Sequence, residues 1–504
     1  MPLSTDDDNR FAWRATGPGR WERDIDEVEE FYTSLAKAHN STGRTFFAIT
    51  GFVSLSVPIQ PGVGLDTTEK QVEDALRVAW IRLRFHHPTI ASRVQYDHTQ
   101  QRYRKLYETC IDDASQQEWL ADTFRVVPGR MSGLDCCNED PPVPTLPTLF
   151  LIRSPVSDDQ RRCWDLVLRA HHDIIDGMGT LLLFHNLLRL AAEAYEQSNY
   201  APPQFGQEWT TLSPPLRTAA AIPAVISPSL EERLREILKQ NALLKEGVEI
   251  ASVPFQRDVA LPGKHQRAAV TLSQDTTARP LEDCRALGLS ITHAYHAAIA
   301  LAVGDLAERT ESPRTVRYIS YCLINERQHC LTPYNTPSHA VSVYHSVSGQ
   351  CLSIDLDIPA LSDQGNSQAH QNEFIPIAQK VRSYYCDIRA DKDHINLVPA
   401  YWAMSTSAPG PDPSVAPARN ETPSASISSM GVLDNIMQHR YGSFVVEHPW
   451  VTGEELGTRL GLFLDTWKGK LTLSAAYNDA WHTRQEVVDF LSACNEIVFQ
   501  GLRM

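Results

Sequence analysis

The segment His171-His172-Asp173-Ile174-Ile175-Asp176-Gly177 constrains this chain more than any other. It follows an apolar, strand-like run from Trp164 to Ala170 and leads into a strongly apolar helical pattern from Gly179 to Tyr195. Two imidazoles, a carboxylate and a glycine therefore occupy a strand-to-helix turn, where a rigid scaffold commonly presents catalytic groups. A bare His-x-x-x-Asp arises by chance about once in a chain of this composition. All four fixed positions together should arise only about 0.002 times, so the full pattern is the signal. An imidazole titrates near working pH, which suits His172 to taking a proton from an alcohol or amine. Asp176 suits a geometric role, through an ion pair with a cation, better than that of a second base. Gly177 and Gly179 lack a Cβ, which permits a sharp bend and a close approach of helix to strand. Neighbouring side chains on an extended segment face opposite ways, so only one of His171 and His172 can face a substrate. The spacing to Asp176 selects His172, and His171 is left to support the motif by packing. A metal site of His171, His172 and Asp176 lacks a supporting cluster with ligand spacing, so no metal is expected.

Helical and strand-like patterns alternate on both sides of this motif. Residues 23–39, 67–84, 179–195, 229–238, 277–287, 292–306, 374–386 and 485–502 read as helices. Residues 46–57, 148–153, 164–170, 315–324 and 424–430 read as strands, with a late hairpin at 459–465 and 470–477. Such alternation argues for α/β layers with mixed sheets. Pro202, Pro203, Pro214, Pro215, Pro223 and Pro228 mark an extended crossover. The expected division is an N-terminal αβ domain at 1–200 carrying the motif, a Pro-rich linker at 201–228, and a C-terminal αβ domain at 229–504. A second Pro-rich loop is expected at 407–423.

Composition excludes several classes. Asp plus Glu outnumber Lys plus Arg by 61 to 46, a formal net charge of −15, which opposes nucleic-acid binding through phosphate neutralisation. No apolar run reaches the length of a membrane span, and the first residues lack both the basic and the apolar region of a signal peptide. Ten scattered cysteines without a Cys-x-x-Cys fit reduced thiols. A cytoplasmic monomer without nucleic-acid or membrane partners is expected. A Gly-x-Ser-x-Gly elbow, a phosphate loop and a His-Glu-x-x-His are all missing, so hydrolase, kinase and zinc-protease readings lack support.

With its motif, the chain resembles the chloramphenicol-acetyltransferase-like superfamily. Within it, the chain is most similar to the fungal trichothecene 15-O-acetyltransferase group. The subgroup likeness rests on Arg10-Phe11-Ala12-Trp13, Gly19-Arg20-Trp21-Glu22 and Tyr477-Asn478-Asp479-Ala480-Trp481. The resemblance covers most of residues 20–500. It implies two αβ domains with a tunnel between them, and a ternary mechanism in which His172 takes the proton of an acceptor hydroxyl that attacks an acyl thioester. It implies that Asp176 is structural and paired with an arginine. Arg327, in Asn325-Glu326-Arg327, is the candidate, because relatives carry a similar Asn-x-Arg after a strand. Ser428-Ser429-Met430-Gly431 resembles the Ser-Asn-Leu-Gly near the tunnel of condensation domains, making Ser428 and Ser429 candidates for oxyanion stabilisation. The Asp-Phe-Gly-Trp-Gly of the plant branch is absent, which argues against a plant-type assignment. The expected partners are a small-molecule alcohol and a donor, either acyl-CoA or a phosphopantetheine-linked acyl group on a carrier protein, with no permanently bound cofactor. Three readings remain open: an acyl-CoA-dependent O-acyltransferase, a carrier-dependent condensation-type enzyme, and a non-catalytic binding protein of the same fold.

Overall fold

The computed structural model describes residues 10–39, 43–59, 62, 64–129, 131–153, 161–197, 203–256, 261–363, 368–407 and 420–503. Its centre is set by the strand Ile49–Pro58, which is buried along nearly its whole length. A strand covered on both faces belongs in the middle of a sheet. It pairs antiparallel with Arg161–Ala170 on one side and with Phe444–Gly453 on the other. The resulting six-stranded sheet runs Arg440–Tyr441, Phe444–Gly453, Ile49–Pro58, Arg161–Ala170, Thr148–Arg153, Phe124–Val127. The long helices Leu65–His86 and Gly177–Glu196 pack together over one face. Gly51 lets the second of these lie close to the sheet, because a Cβ there would stand 2.3 Å from Thr180 Cγ2. On the other face Phe52, Phe150, Val167 and Trp450 meet Cys136 and Cys137 of the short helix Gly133–Asn138.

A second core surrounds the four-stranded sheet His265–Thr271, Lys470–Asn478, Leu460–Trp467, Ala425–Val432. Helices Ile291–Asp305, Gln368–Ala390 and Arg484–Gly501 pack into it. The architecture is a mixed α/β fold of two lobes. Residues 440–453 belong in sequence to the later half, yet they extend the first sheet, because Phe444, Val446 and Val451 bury their side chains in the first core.

Several sequence expectations need correction. The stretch from 203 to 228 is not an extended tether: it holds the helical turns Glu208–Thr211 and Leu216–Ala219, and Leu212, Ser213 and Leu216 are buried. Residues 201 and 202, and 408–419 of the second Pro-rich loop, lie outside the described residues. The single strand expected at 315–324 divides into Arg314–Ser320 and Leu323–Asn325, which pair in different sheets. A helix at His394–Ser407, with Pro399 inside it, was not among the expected elements.

Candidate active site

The strand Arg161–Ala170 ends one residue before the motif. The chain then turns, with the Ile174 N–H donating to the His171 carbonyl at 3.1 Å. Asp176 closes the turn as the N-cap of the Gly177–Glu196 helix, in extended conformation, its Oδ1 accepting the Gly179 N–H at 2.6 Å. Its Oδ2 accepts Arg327 Nη1 at 2.9 Å and the Tyr344 N–H at 2.8 Å. Arg327 is fixed in turn by Ser342 Oγ at 3.2 Å from Nη2 and by Asn325 Oδ1 at 3.2 Å from its main-chain N–H. Both members of the pair are buried. Burial by itself pushes the Asp176 carboxyl upward, but the Arg327 guanidinium and the N–H donors outweigh it and hold the pKa below the ordinary value.

The close-approach requirement falls on Gly179 rather than Gly177. A Cβ at Gly179 would stand 2.3 Å from the Ala340 carbonyl oxygen and 2.9 Å from Arg327 Nη2. A Cβ at Gly177 would meet Val451 and Met430 at 3.5 and 3.6 Å, ordinary contact distances.

His172 lies flat on Tyr32, with ring centroids 3.7 Å apart and planes 8° from parallel. Its Nδ1 is buried without a hydrogen-bond partner among the described residues, and the residue lines the cavity. Desolvation, reinforced by the neighbouring His345, pushes the imidazole pKa down to about 3. The ring is therefore neutral and able to accept a proton across the neutral pH range. His345, on the strand His345–Val347, has its ring centroid 5.2 Å from that of His172. Trp402 stands edge-on to His345 at 5.6 Å and closes the aromatic cluster.

The turn is clamped from below. Lys105 Nζ donates to the Asp173 carbonyl at 2.5 Å and pairs with Glu29. Glu29 also takes two hydrogen bonds of 2.7 Å from Arg23. Although Glu29 is fully desolvated, these two cations hold its pKa down to about 2. Thr33 Oγ1 donates to Asp173 Oδ2 at 2.8 Å. The strand Arg102–Glu108 and the helix Glu27–Ala38 thus fix the backbone that carries His172.

A cavity of about 580 Å³ opens in front of the imidazole. Tyr32, Phe47, His172 and Val451 line it from the first lobe, and Tyr321, Trp402, Ser428 and Leu462 from later elements. Asp176, Gly177, Arg327 and Ser429 also contribute to its wall. His171 is not among the lining residues. Ser428 lies on the same strand face as Ser426, and its hydroxyl reaches Met430 Sδ at 3.6 Å. The Ser429 hydroxyl instead pairs with Thr292 Oγ1 at 2.9 Å, at the start of the helix Ile291–Asp305. The reading from sequence omitted Tyr32, Lys105, Tyr344, His345 and Trp402. Of these, only Tyr32 carried a signal, as part of the Phe31-Tyr32 pair on an amphipathic helix. The others reach the site from remote segments without a local pattern.

No family profile matches the chain. It is 23% identical over 496 residues to the acetyltransferase pigO of Monascus ruber, covering 98% of each chain. It is 22% identical over 463 residues to the trichothecene 15-O-acetyltransferase TRI3 of Fusarium sporotrichioides, covering 86% of each. The solved structure of TRI3 superposes over the full length of both chains, with a TM-score of 0.78 and 18% identity. The first condensation domain of the calcium-dependent antibiotic synthetase is similar in fold, with a TM-score of 0.59 and 14% identity over 95% of this chain and 96% of that one.

Proposed function

We propose that this chain, an O-acyltransferase of the chloramphenicol-acetyltransferase-like fold related to fungal acetyltransferases, moves an acyl group from acyl-CoA to a hydroxyl of a secondary metabolite. The observation that carries this reading is the neutral His172 imidazole, which lines a cavity of about 580 Å³ beside the buried Asp176–Arg327 pair. The reaction runs in a ternary complex. The acceptor O–H gives its proton to His172 Nε2 as its oxygen attacks the thioester carbonyl carbon. The carbonyl electrons move onto oxygen, where the Ser428 hydroxyl donates a hydrogen bond. Collapse of the tetrahedral intermediate breaks the C–S bond, and the departing thiolate takes the proton back from His172. The imidazole ends neutral, as it began. Asp176 and Arg327 do not touch the reacting atoms; they hold the turn and the helix start that place His172.

The likeness to a condensation domain favours a second reading, in which a phosphopantetheinylated carrier protein delivers the acyl group and the product is an ester or an amide. Both readings use the same residues. Purified protein assayed against a series of alcohols, with acetyl-CoA or with an acylated carrier protein as donor, separates them. Product from free acetyl-CoA supports the first; product from the carrier alone supports the second. Product from neither, with folded protein, refutes both.

A further inference from the structure

The cavity holds a charge that acyl transfer by itself does not use. Arg459, the residue before the strand Leu460–Trp467, lines it. Among the described residues its guanidinium makes no hydrogen bond and no ion pair, and its nitrogens are not sealed from the cavity. Glu455 is buried nearby and supports the positive charge electrostatically, but it stands beyond ion-pair distance, and its Oε1 is taken by the Gly457 N–H at 2.8 Å. Glu455, which also lines the cavity, outweighs the burial penalty and holds the guanidinium above its ordinary pKa, so Arg459 stands in the cavity as a full cation whose N–H donors can still take an acceptor oxygen. A guanidinium suits a planar, two-oxygen anion best. Tyr321 lines the same cavity as Arg459 and Tyr32, the ring stacked on His172.

We propose that Arg459 anchors a carboxylate on the alcohol acceptor, so that the acceptor is a hydroxy acid with a flat, unsaturated body lying between Arg459 and His172. The flat body follows from the aromatic rings beside the base. This inference rests on the reading of the cavity as the acceptor chamber.

The test uses para-hydroxymethyl benzoate and its methyl ester as probes. Calorimetry without any donor measures their binding to the full-length wild type and to Arg459→Gln, Arg459→Lys and Glu455→Gln, each checked for folding by circular dichroism. A charge-assisted hydrogen bond predicts that wild type binds the acid ~10- to 100-fold more tightly than the ester. Arg459→Gln should bring the two affinities together, and Arg459→Lys should keep part of the preference. Glu455→Gln should tighten acid binding, because it removes a nearby negative charge. If Arg459→Gln does not fold, the other two variants carry the comparison. Equal affinities in wild type, binding of neither probe, or an acid preference that survives Arg459→Gln would overturn the proposal. Acid-selective binding without acyl transfer from either donor would leave the anchor standing and sink the transferase reading. Transfer to both probes at equal efficiency would do the reverse.

Discussion

The pair Asp176–Arg327 can be tested as a unit by a double-mutant cycle. Arg327→Ala leaves a buried carboxylate with only the Gly179 and Tyr344 N–H groups as donors. Removing one partner of a buried pair costs about 3–5 kcal/mol. Asp176→Ala strands the Arg327 guanidinium on Ser342 and Asn325, orphans the Tyr344 N–H, and removes a helix N-cap, the cap alone being worth about 1 kcal/mol. Once either partner is gone, deleting the other removes a group that had become a liability. The double variant should therefore cost no more than the worse single variant, a coupling of at least about 3 kcal/mol. The rates should follow. A displacement of about 1 Å at the base costs on the order of 10²-fold, so each single variant should lose roughly that factor in kcat, and the double variant no more. Urea unfolding and steady-state transfer assays on the four proteins complete the cycle. Additive losses in both stability and rate would show that the two residues act separately and would remove Arg327 from its role.

Four other outcomes follow. His172→Ala should lower the rate ~10²- to 10⁴-fold while leaving a folded protein that still binds donor; a rate near wild type in a folded variant would refute the base assignment. With the imidazole pKa pushed down to about 3, the wild-type pH–rate profile should stay flat through the region near pH 6.5 where a free histidine titrates; an acid limb centred there would place the shift elsewhere. Gly179→Ala should destabilise the protein by more than about 2 kcal/mol, since its Cβ collides with the Ala340 carbonyl, whereas Gly177→Ala should stay within about 1 kcal/mol of wild type in urea unfolding. Stability should fall as the pH drops below about 6.5. His87, His172, His265 and His296, with pKa values near 3, and His293 and His448, near 4, stay neutral when folded while the unfolded chain takes up protons. Asp26 and Asp465, pushed up to about 7, and Glu30, Asp165, Glu454 and Glu455, raised by burial, act in the opposite sense. But burial also holds His39, His86, His185, His339, His345 and His482 down, so the histidines prevail. A urea midpoint that rises from pH 6.5 to pH 4.5 would contradict this balance.

The chain's own order determined much of this. Periodicity placed the helix Leu65–His86, the strand Thr148–Arg153 and the hairpin Leu460–Trp467 with Lys470–Asn478 within a few residues, because each buries a face along its own length. The motif His171–Gly177 was legible for the same reason: its turn and its cap are made by residues within eight positions of each other. The late helix His394–Ser407 was not, since Pro399 interrupts the helical signal and packing holds the segment instead: Val398 and Trp402 bury their side chains beside Val28 and Tyr32 of the early helix. Arg327 came from a resemblance, and only the fold puts it against Asp176, 151 positions away. The strand Phe444–Gly453 joining the first sheet, the stacking of Tyr32 on His172, the proximity of His345, and the placement of Arg459 in the chamber were decided by tertiary structure alone. Local spacing reports which face of a segment is buried. It holds no record of which distant segment covers that face, and the electrostatics of a chamber depend on that covering.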